Sequence, residues 1–224
     1  MSVGRDAGPI VTEPTSLSPG ASYRLAFLTS QKISDATSPD IGVYNTFVDG
    51  LGDLVIASDW RAIGSTSSVD ARDNTGTNPI AVGVPIFMLN DVLLANDNAD
   101  LWDGSIAPLT GLHFRDDGIT DFFGGNEVFT GTGHDGTAVS FQELGGQDLG
   151  VMGGYAGVSN TSWIEYSVLK PDLFPRRMYA MSDILVMPDA VVPEPSSLML
   201  LGIGAVGLLG YRLRRKRRLS PATS

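Results

Sequence analysis

The chain's densest set of hard oxygen ligands lies in the polar stretch Asn96–Ser105 (NDNADLWDGS), where Asp97, Asn98, Asp100 and Asp103 fall close together. Calcium takes ~6–8 oxygen ligands, so clustered carboxylates beside an amide suit it. The spacing departs from the Asp-x-Asp-x-Asp-Gly loop with a distal Glu, and the competing reading is an acidic loop facing water. Glycoside hydrolysis needs paired carboxylates; Asp100 with Asp103, or Asp116 with Asp135, are the pairs on offer. His113 and His134 are the two histidines. His134-Asp135 invites comparison with a triad, but no Gly-x-Ser-x-Gly elbow occurs. Two isolated histidines are too few for a usual zinc site. Indole faces suit the apolar faces of sugar rings. Trp60 and Trp102 read as core, which leaves Trp163 as the candidate glycan contact. Gly145-Gly146 and Gly153-Gly154 lack the strand–loop–helix setting of a phosphate cradle. The expectation is a protein that is not an enzyme and holds no cofactor, with Ca2+ as the one ion its residues could recruit.

Composition narrows the partners. The 224 residues carry 15 Lys+Arg against 25 Asp+Glu, a net charge of −10. Six of the basic residues follow Tyr211; without them nine face the same 25 acids, about −16. So acidic a surface repels nucleic-acid phosphates and anionic headgroups. The 27 glycines and modest charge suit a loop-rich globular fold. There is no cysteine, hence no disulfide and no thiolate chemistry.

These side chains must be positioned by short elements. Residues 1–20 read as a flexible lead-in. Ser22–Leu28 is a strand by alternation and aromatic content. Ser38-Pro39-Asp40 offers a helix start, and Ile41, Tyr44, Phe47, Val48 and Leu51 recur at helical spacing, which predicts a helix over Pro39–Leu51. Asp59–Thr66 reads as a strand, Ser67–Asp73 as a short serine-capped helix and Asn74–Pro79 as a turn. Val84–Leu89 and Val92–Ala95 flank Asn90-Asp91 as a hairpin. Glu127–Thr132 is a further strand, Leu144–Gly157 a Gly-rich loop leading to Ser162–Leu169, and Arg177–Met187 a final strand. Few helices, short strands and long loops argue an α+β fold.

The C-terminal stretch has three parts in fixed order: Pro193-Glu194-Pro195, the uncharged run Leu198–Tyr211, and the basic cluster Arg212, Arg214, Arg215, Lys216, Arg217 and Arg218. As a helix the run and its flanks span roughly 21–27 Å, a little short of the ~30 Å hydrocarbon core. Basic flanks that reach the interface extend it, so a transmembrane helix is expected over 198–213. The positive-inside bias keeps the arginines cytoplasmic. This order resembles the PEP-CTERM sorting signal of bacteria that make exopolysaccharide. The resemblance implies recognition of Pro193-Glu194-Pro195 by an exosortase, removal of the span, and release or surface attachment of the domain. A plain C-terminal anchor with a Pro-rich stalk is the alternative. Residues 1–20 show no apolar h-region, so an upstream start or a non-Sec export route is expected.

A second resemblance covers about Tyr23–Met187. Pro85-Ile86, Leu89, Leu93-Leu94, Leu101-Trp102, Gly104-Ser105, Pro108-Leu109, Val128, Thr130-Gly131, Asp135-Gly136 and Met178–Ser182 are similar to the endostatin domain of certain collagens and the wider C-type-lectin-like fold. It implies that the first and last strands pair, Tyr23–Leu28 beside Met178–Leu185. The disulfides, the arginine surface and the His-rich zinc site of endostatin have no counterpart here, nor do the Glu-Pro-Asn and Trp-Asn-Asp sugar motifs.

The expected organisation is therefore a flexible 1–20, a C-type-lectin-like domain over 21–188, a Pro-rich linker at 189–197, a transmembrane helix at 198–213 and a basic cytoplasmic tail at 214–224. The expected role is adhesion or matrix association in an exopolysaccharide layer. The alternatives are an extracytoplasmic polysaccharide hydrolase and a ligand-free structural surface protein.

Overall fold

Tyr23–Leu28 is buried at every position, the burial pattern of a strand covered on both faces, and it sits at the centre of the main sheet. The computed structural model describes residues 7–120, 127–146 and 149–189, with Val206, Leu208, Tyr211, Arg212 and Arg214. The chain divides into two units, Met1–Pro188 and Asp189–Ser224.

In the first unit, β1 (Ser22–Leu28) runs parallel to β3 (Ile86–Met88), which pairs antiparallel with β4 (Leu93–Ala95). On its other side β1 meets β8 (Tyr179–Met181) and β9 (Leu185–Val186), with Ala26 opposite Met181 and Tyr23 opposite Leu185. The pairing of first and last strands is thus present. β2 (Arg61–Ala62) closes the edge on β8. A second sheet joins β5 (Glu127–Phe129), β6 (Val151–Tyr155) and β7 (Ser167–Leu169), with β6 central. The architecture is mixed α/β, mostly sheet with few helices.

α1 (Ile41–Gly52) starts where Asp40 accepts a hydrogen bond from Gly42 N at 2.8 Å. Tyr44, Val48 and Leu51, one face of a helix, are its buried residues. α2 (Ala71–Asn74) is shorter and later than Ser67–Asp73; Asp70 stands at its N-cap in extended backbone without a side-chain cap bond, and Ser65 Oγ accepts from Ala71 N at 2.8 Å. α3 (Asn98–Leu101) lies inside the polar stretch and is capped by Asp97.

Three expectations are corrected. Residues 7–20 are not a free lead-in: Gly8 N bonds Gly118 O, Val11 N bonds Leu89 O, and Tyr23 Oη donates to Thr12 O at 2.7 Å. The Gly-rich loop holds β6. Glycine is needed there because a Cβ on Gly154 would lie 2.1 Å from Trp163 O, and one on Gly153 2.3 Å from Leu169 Cδ1. The final strand is broken at Ser182, whose Oγ accepts from Leu25 N at 2.9 Å and donates to Asp183 O at 2.7 Å.

A row of tilted aromatic rings runs through the core to Tyr179 on β8: Trp102–Trp163 at 6.1 Å and Trp163–Tyr179 at 5.6 Å between ring centroids. In the second unit, Val206, Leu208, Tyr211, Arg212 and Arg214 are helical and exposed. The rest of the expected 198–213 span lies outside the described residues, and no helix among the described residues is long and apolar enough to cross a membrane.

Candidate functional site

The residues singled out for metal binding are engaged in local hydrogen bonds, apart from Asn98 Oδ1, which is buried without a hydrogen-bond partner among the described residues. Asp97 Oδ1 accepts from Asp100 N at 2.9 Å, and Asp100 Oδ2 from Asn96 N and Nδ2. Asp103 Oδ1 takes both Ser105 N and Oγ at 2.9 Å. Asn98 is buried and donates to Asn78 O and Ala81 O. Each acid caps a turn, and among the described residues no group of three or more His, Cys, Asp or Glu is placed to hold a metal ion. Trp163 is 0% exposed. Its indole stacks on protein rings, so no sugar reaches it, and the expected glycan contact is corrected to a core position.

The carboxylates proposed as hydrolytic pairs are also engaged. Asp116 accepts from Ser30 N and Oγ. Burial pushes its carboxyl up, against the pull of those bonds. Asp135 accepts from Thr137 N and Oγ1. Burial acts against its ionisation, but these bonds with Arg72 and His134 outweigh it and hold its carboxyl below the usual range. His134 is exposed beside Glu165, Nδ1 to Oε2 2.9 Å, while His113 is buried with Nδ1 2.7 Å from Gly111 O.

A different set of residues lines a polar concavity among the described residues. Arg24, Asp59, Arg61, Asp73, Asn74, Thr75, Gly76 and Asp183 line a cavity of about 270 Å³. Asp59 and Arg61 also line a neighbouring cavity of about 150 Å³, with Asn45, Thr46, Asp49 and Trp60. The two cavities share Asp59 and Arg61 and lie beside β2, the larger forming a groove at this edge of the main sheet.

Each wall has a local cause. At the end of α2, Gly76 N bonds Asp73 O and Thr77 N bonds Arg72 O, with Gly76 at φ 65°. That is a Schellman cap, which calls for glycine in the left-handed conformation, and it turns Asp73–Gly76 into the groove. Asn45 and Asn74 exchange amide hydrogen bonds in both directions, at 2.8 and 2.9 Å. Asn45 Oδ1 also accepts from Ala62 N, and Asn74 Nδ2 donates to Ala62 O. This clamp fastens α1, α2 and β2 and uses up both amides. The break at Ser182 sets Asp183 on the rim, its backbone N–H on Asp59 O at 3.0 Å.

Arg24 forms the floor. It stands on β1 with its side chain only 7% exposed. Nη1 donates to Ser182 O at 2.7 Å, while the Asp183 carboxylate, 65% exposed, lies 3.7 Å from Nη2. A Cβ on Gly76 would sit 3.3 Å from Nη2, so that nitrogen is at the cavity wall. Burial lowers the pKa of Arg24 and Asp183 partly restores it. Guanidinium carries several N–H donors and no acceptor, so a buried head with one close protein acceptor has donors to spare. At the rim, Arg61 lies 3.9 Å from Asp59. The groove therefore presents Arg donors among Asp acceptors. No spacing in the sequence announces it; Gly76 after Asn74-Thr75 is the one local signal, and it reads only as a turn.

The tail is legible in another way. Residues 191–216 match the PEP-CTERM protein-sorting motif. The motif marks an exported, membrane-anchored precursor that exosortase processes and that ends at the cell surface. Its Pro193-Glu194-Pro195 segment and Arg215, Lys216, Arg217 and Arg218 lie outside the described residues; Arg212 and Arg214 are within the exposed helical positions. Among curated proteins none matches the chain.

Proposed function

We propose that the protein is a non-enzymatic surface component that associates with the exopolysaccharide layer, its 21–188 domain built on a C-type-lectin-like plan and delivered by the PEP-CTERM tail. The observation that carries the reading is the sorting motif at residues 191–216, which sends the domain to the surface. The pairing of β1 with β8 and β9 is one arrangement that such a plan calls for. The non-enzymatic role is supported by the use made of the acids: Asp100, Asp103, Asp116 and Asp135 each brace a loop through hydrogen bonds to backbone N–H groups.

The test is fractionation of tagged full-length protein with Pro193-Glu194-Pro195 intact or replaced by three alanines. The intact chain should be shortened and recovered at the surface or in the matrix, and the replaced chain should keep its tail and stay with the membrane. Identical size and location for the two chains would leave a plain anchor and defeat the sorting reading.

A further inference from the structure

We infer that the groove floored by Arg24 is a binding site for a neutral, hydroxyl-rich glycan, taking about one sugar ring in the larger cavity with the chain passing over Asp59 and Arg61. The inference rests on the surface-layer reading for the source of the glycan, and on the groove alone for its chemistry.

Charge chooses the ligand class. Two arginines and three aspartates share the larger cavity. An anion drawn to Arg24 would sit among Asp59, Asp73 and Asp183; a cation drawn to those acids would face Arg24 and Arg61. A ligand bearing hydroxyls meets neither penalty, because each hydroxyl both donates and accepts. It can accept from the spare N–H groups of Arg24 and Arg61 while donating to Asp59, Asp73 and Asp183. Hydrogen bonds to charged groups are the stronger kind, and the partner left unmade inside a groove is the costly one.

Two features separate the groove from an ordinary polar dent. First, Arg24 is more than nine-tenths buried, points at the cavity, and finds one close protein acceptor. Water or a ligand must meet its remaining donors. Second, the acids lining the cavity keep lone pairs free: Asp73 accepts from Asn78 Nδ2 and Asp183 from Ile184 N, each through Oδ1 only, and Asp59 lies 3.9 Å from Arg61. The volume of about 270 Å³ sits at the small end of ligand pockets, ~300 Å³ and upward. No aromatic side chain lines the larger cavity for stacking, and Trp60 beside the smaller one is buried, so affinity comes from hydrogen bonds and should be about millimolar per site. Repeated copies on a surface raise the avidity against a repeating polymer.

The experiment is an NMR titration of the full-length protein in detergent micelles with cellotriose, maltotriose and mannotriose, and with trigalacturonate as the charged arm. At least one neutral trisaccharide should shift the Arg61 and Gly76 amides with millimolar affinity, and trigalacturonate should bind more weakly. The Asp59→Asn/Arg61→Ala double variant, altered at exposed side chains, should fold with unchanged melting temperature and bind about tenfold more weakly. Arg24→Lys keeps the charge but loses the planar fork and should weaken binding as much; Asp103→Asn, outside the groove, should not. No groove shifts with any neutral trisaccharide, equal or tighter binding of trigalacturonate, or full binding by the double variant would each overturn the assignment. Failure of the sorting reading looks different: the three-alanine tail variant would match the intact chain in location while the groove still bound sugar.

Discussion

The stretch Asn96–Ser105 and the groove are both rich in Asp and Asn, yet they use them in opposite ways. In the stretch, Asp97, Asp100 and Asp103 each bond a backbone N–H within four residues, and the whole sits over Trp102, whose Nε1 donates to Thr77 O and Oγ1. In the groove, Asn45 and Asn74 are consumed by each other and by Ala62, while Asp59, Asp73, Arg24 and Arg61 retain capacity. Residue type is the same; what differs is the setting, since the stretch's acids brace their own turns while the groove's acids line a cavity floored by the buried Arg24 head. An acidic cluster read by composition is therefore a poor guide to a site, because short local bonds to turns and caps are the ordinary fate of Asp and Asn.

The largest effect tests whether the loop side is structure. Trp163→Ala should destabilise the protein by ~3–5 kcal/mol, since it empties the stack between Trp102 and Tyr179. Chemical denaturation measures it. A loss under ~1 kcal/mol would return Trp163 to the candidates for recognition.

Next is the clamp that shapes the groove. Asn74→Ala leaves Asn45 Nδ2 and the Ala62 carbonyl without this partner, while Ala62 N keeps Asn45 Oδ1, a cost of ~1–3 kcal/mol for unsatisfied groups in a part-buried site. Asn45→Ala should cost a similar amount. The double variant should cost less than the sum, because the two amides serve one network. Strict additivity in denaturation would show that they act separately and that the groove wall has another support.

The contrast is sharpest between single aspartates. Asp97→Ala removes the cap of α3 and should cost ~1 kcal/mol with no change in sugar binding. Asp59→Asn should leave stability within ~0.5 kcal/mol, as for other exposed positions, while weakening binding. If the two variants exchanged these effects, the division between spent and spare acids would be lost.

How much of this was legible follows from where each signal sits in the chain. The sorting motif is contiguous, so Pro193, the apolar run and the arginines are read in one pass. α1 was legible because Asp40 and the Tyr44, Val48, Leu51 face are local. β6 was not: Gly153 and Gly154 look like loop, but they are there to let Leu169 and the Trp163 carbonyl approach. The break at Ser182 is invisible in MYAMSDIL because it depends on Leu25, far away in sequence. The groove draws on Arg24, Asp59 to Arg61, Asp73 to Gly76 and Asp183. Only folding brings such distant positions together, and Arg24 in an apolar strand gives no hint that its head meets a cavity.

The smallest effect carries the same contrast to two adjacent acids. Asp116 is part-buried against Ser30, and burial lifts its carboxyl above the ordinary 3.8. Asp117 is also penalised by burial, but its bonds to Arg115 and Ile119 N, with Arg115 and Arg177 nearby, bring it below 3.8. A raised folded value means that the folded state prefers the proton. The Asp116 contribution is then fully present below 3.8 and is lost as pH rises through the folded value. Asp117 works the other way: its contribution is present above 3.8 and is lost as pH falls through the lower folded value. Carboxyl NMR titration over about pH 2–7 should place the two midpoints on opposite sides of 3.8, Asp116 higher. Ser30→Ala removes the side-chain bond that favours the Asp116 anion, so it should lift that midpoint further and leave Asp117 where it was. Coincident midpoints, or an Asp116 value that falls in Ser30→Ala, would mean that burial does not govern this pair.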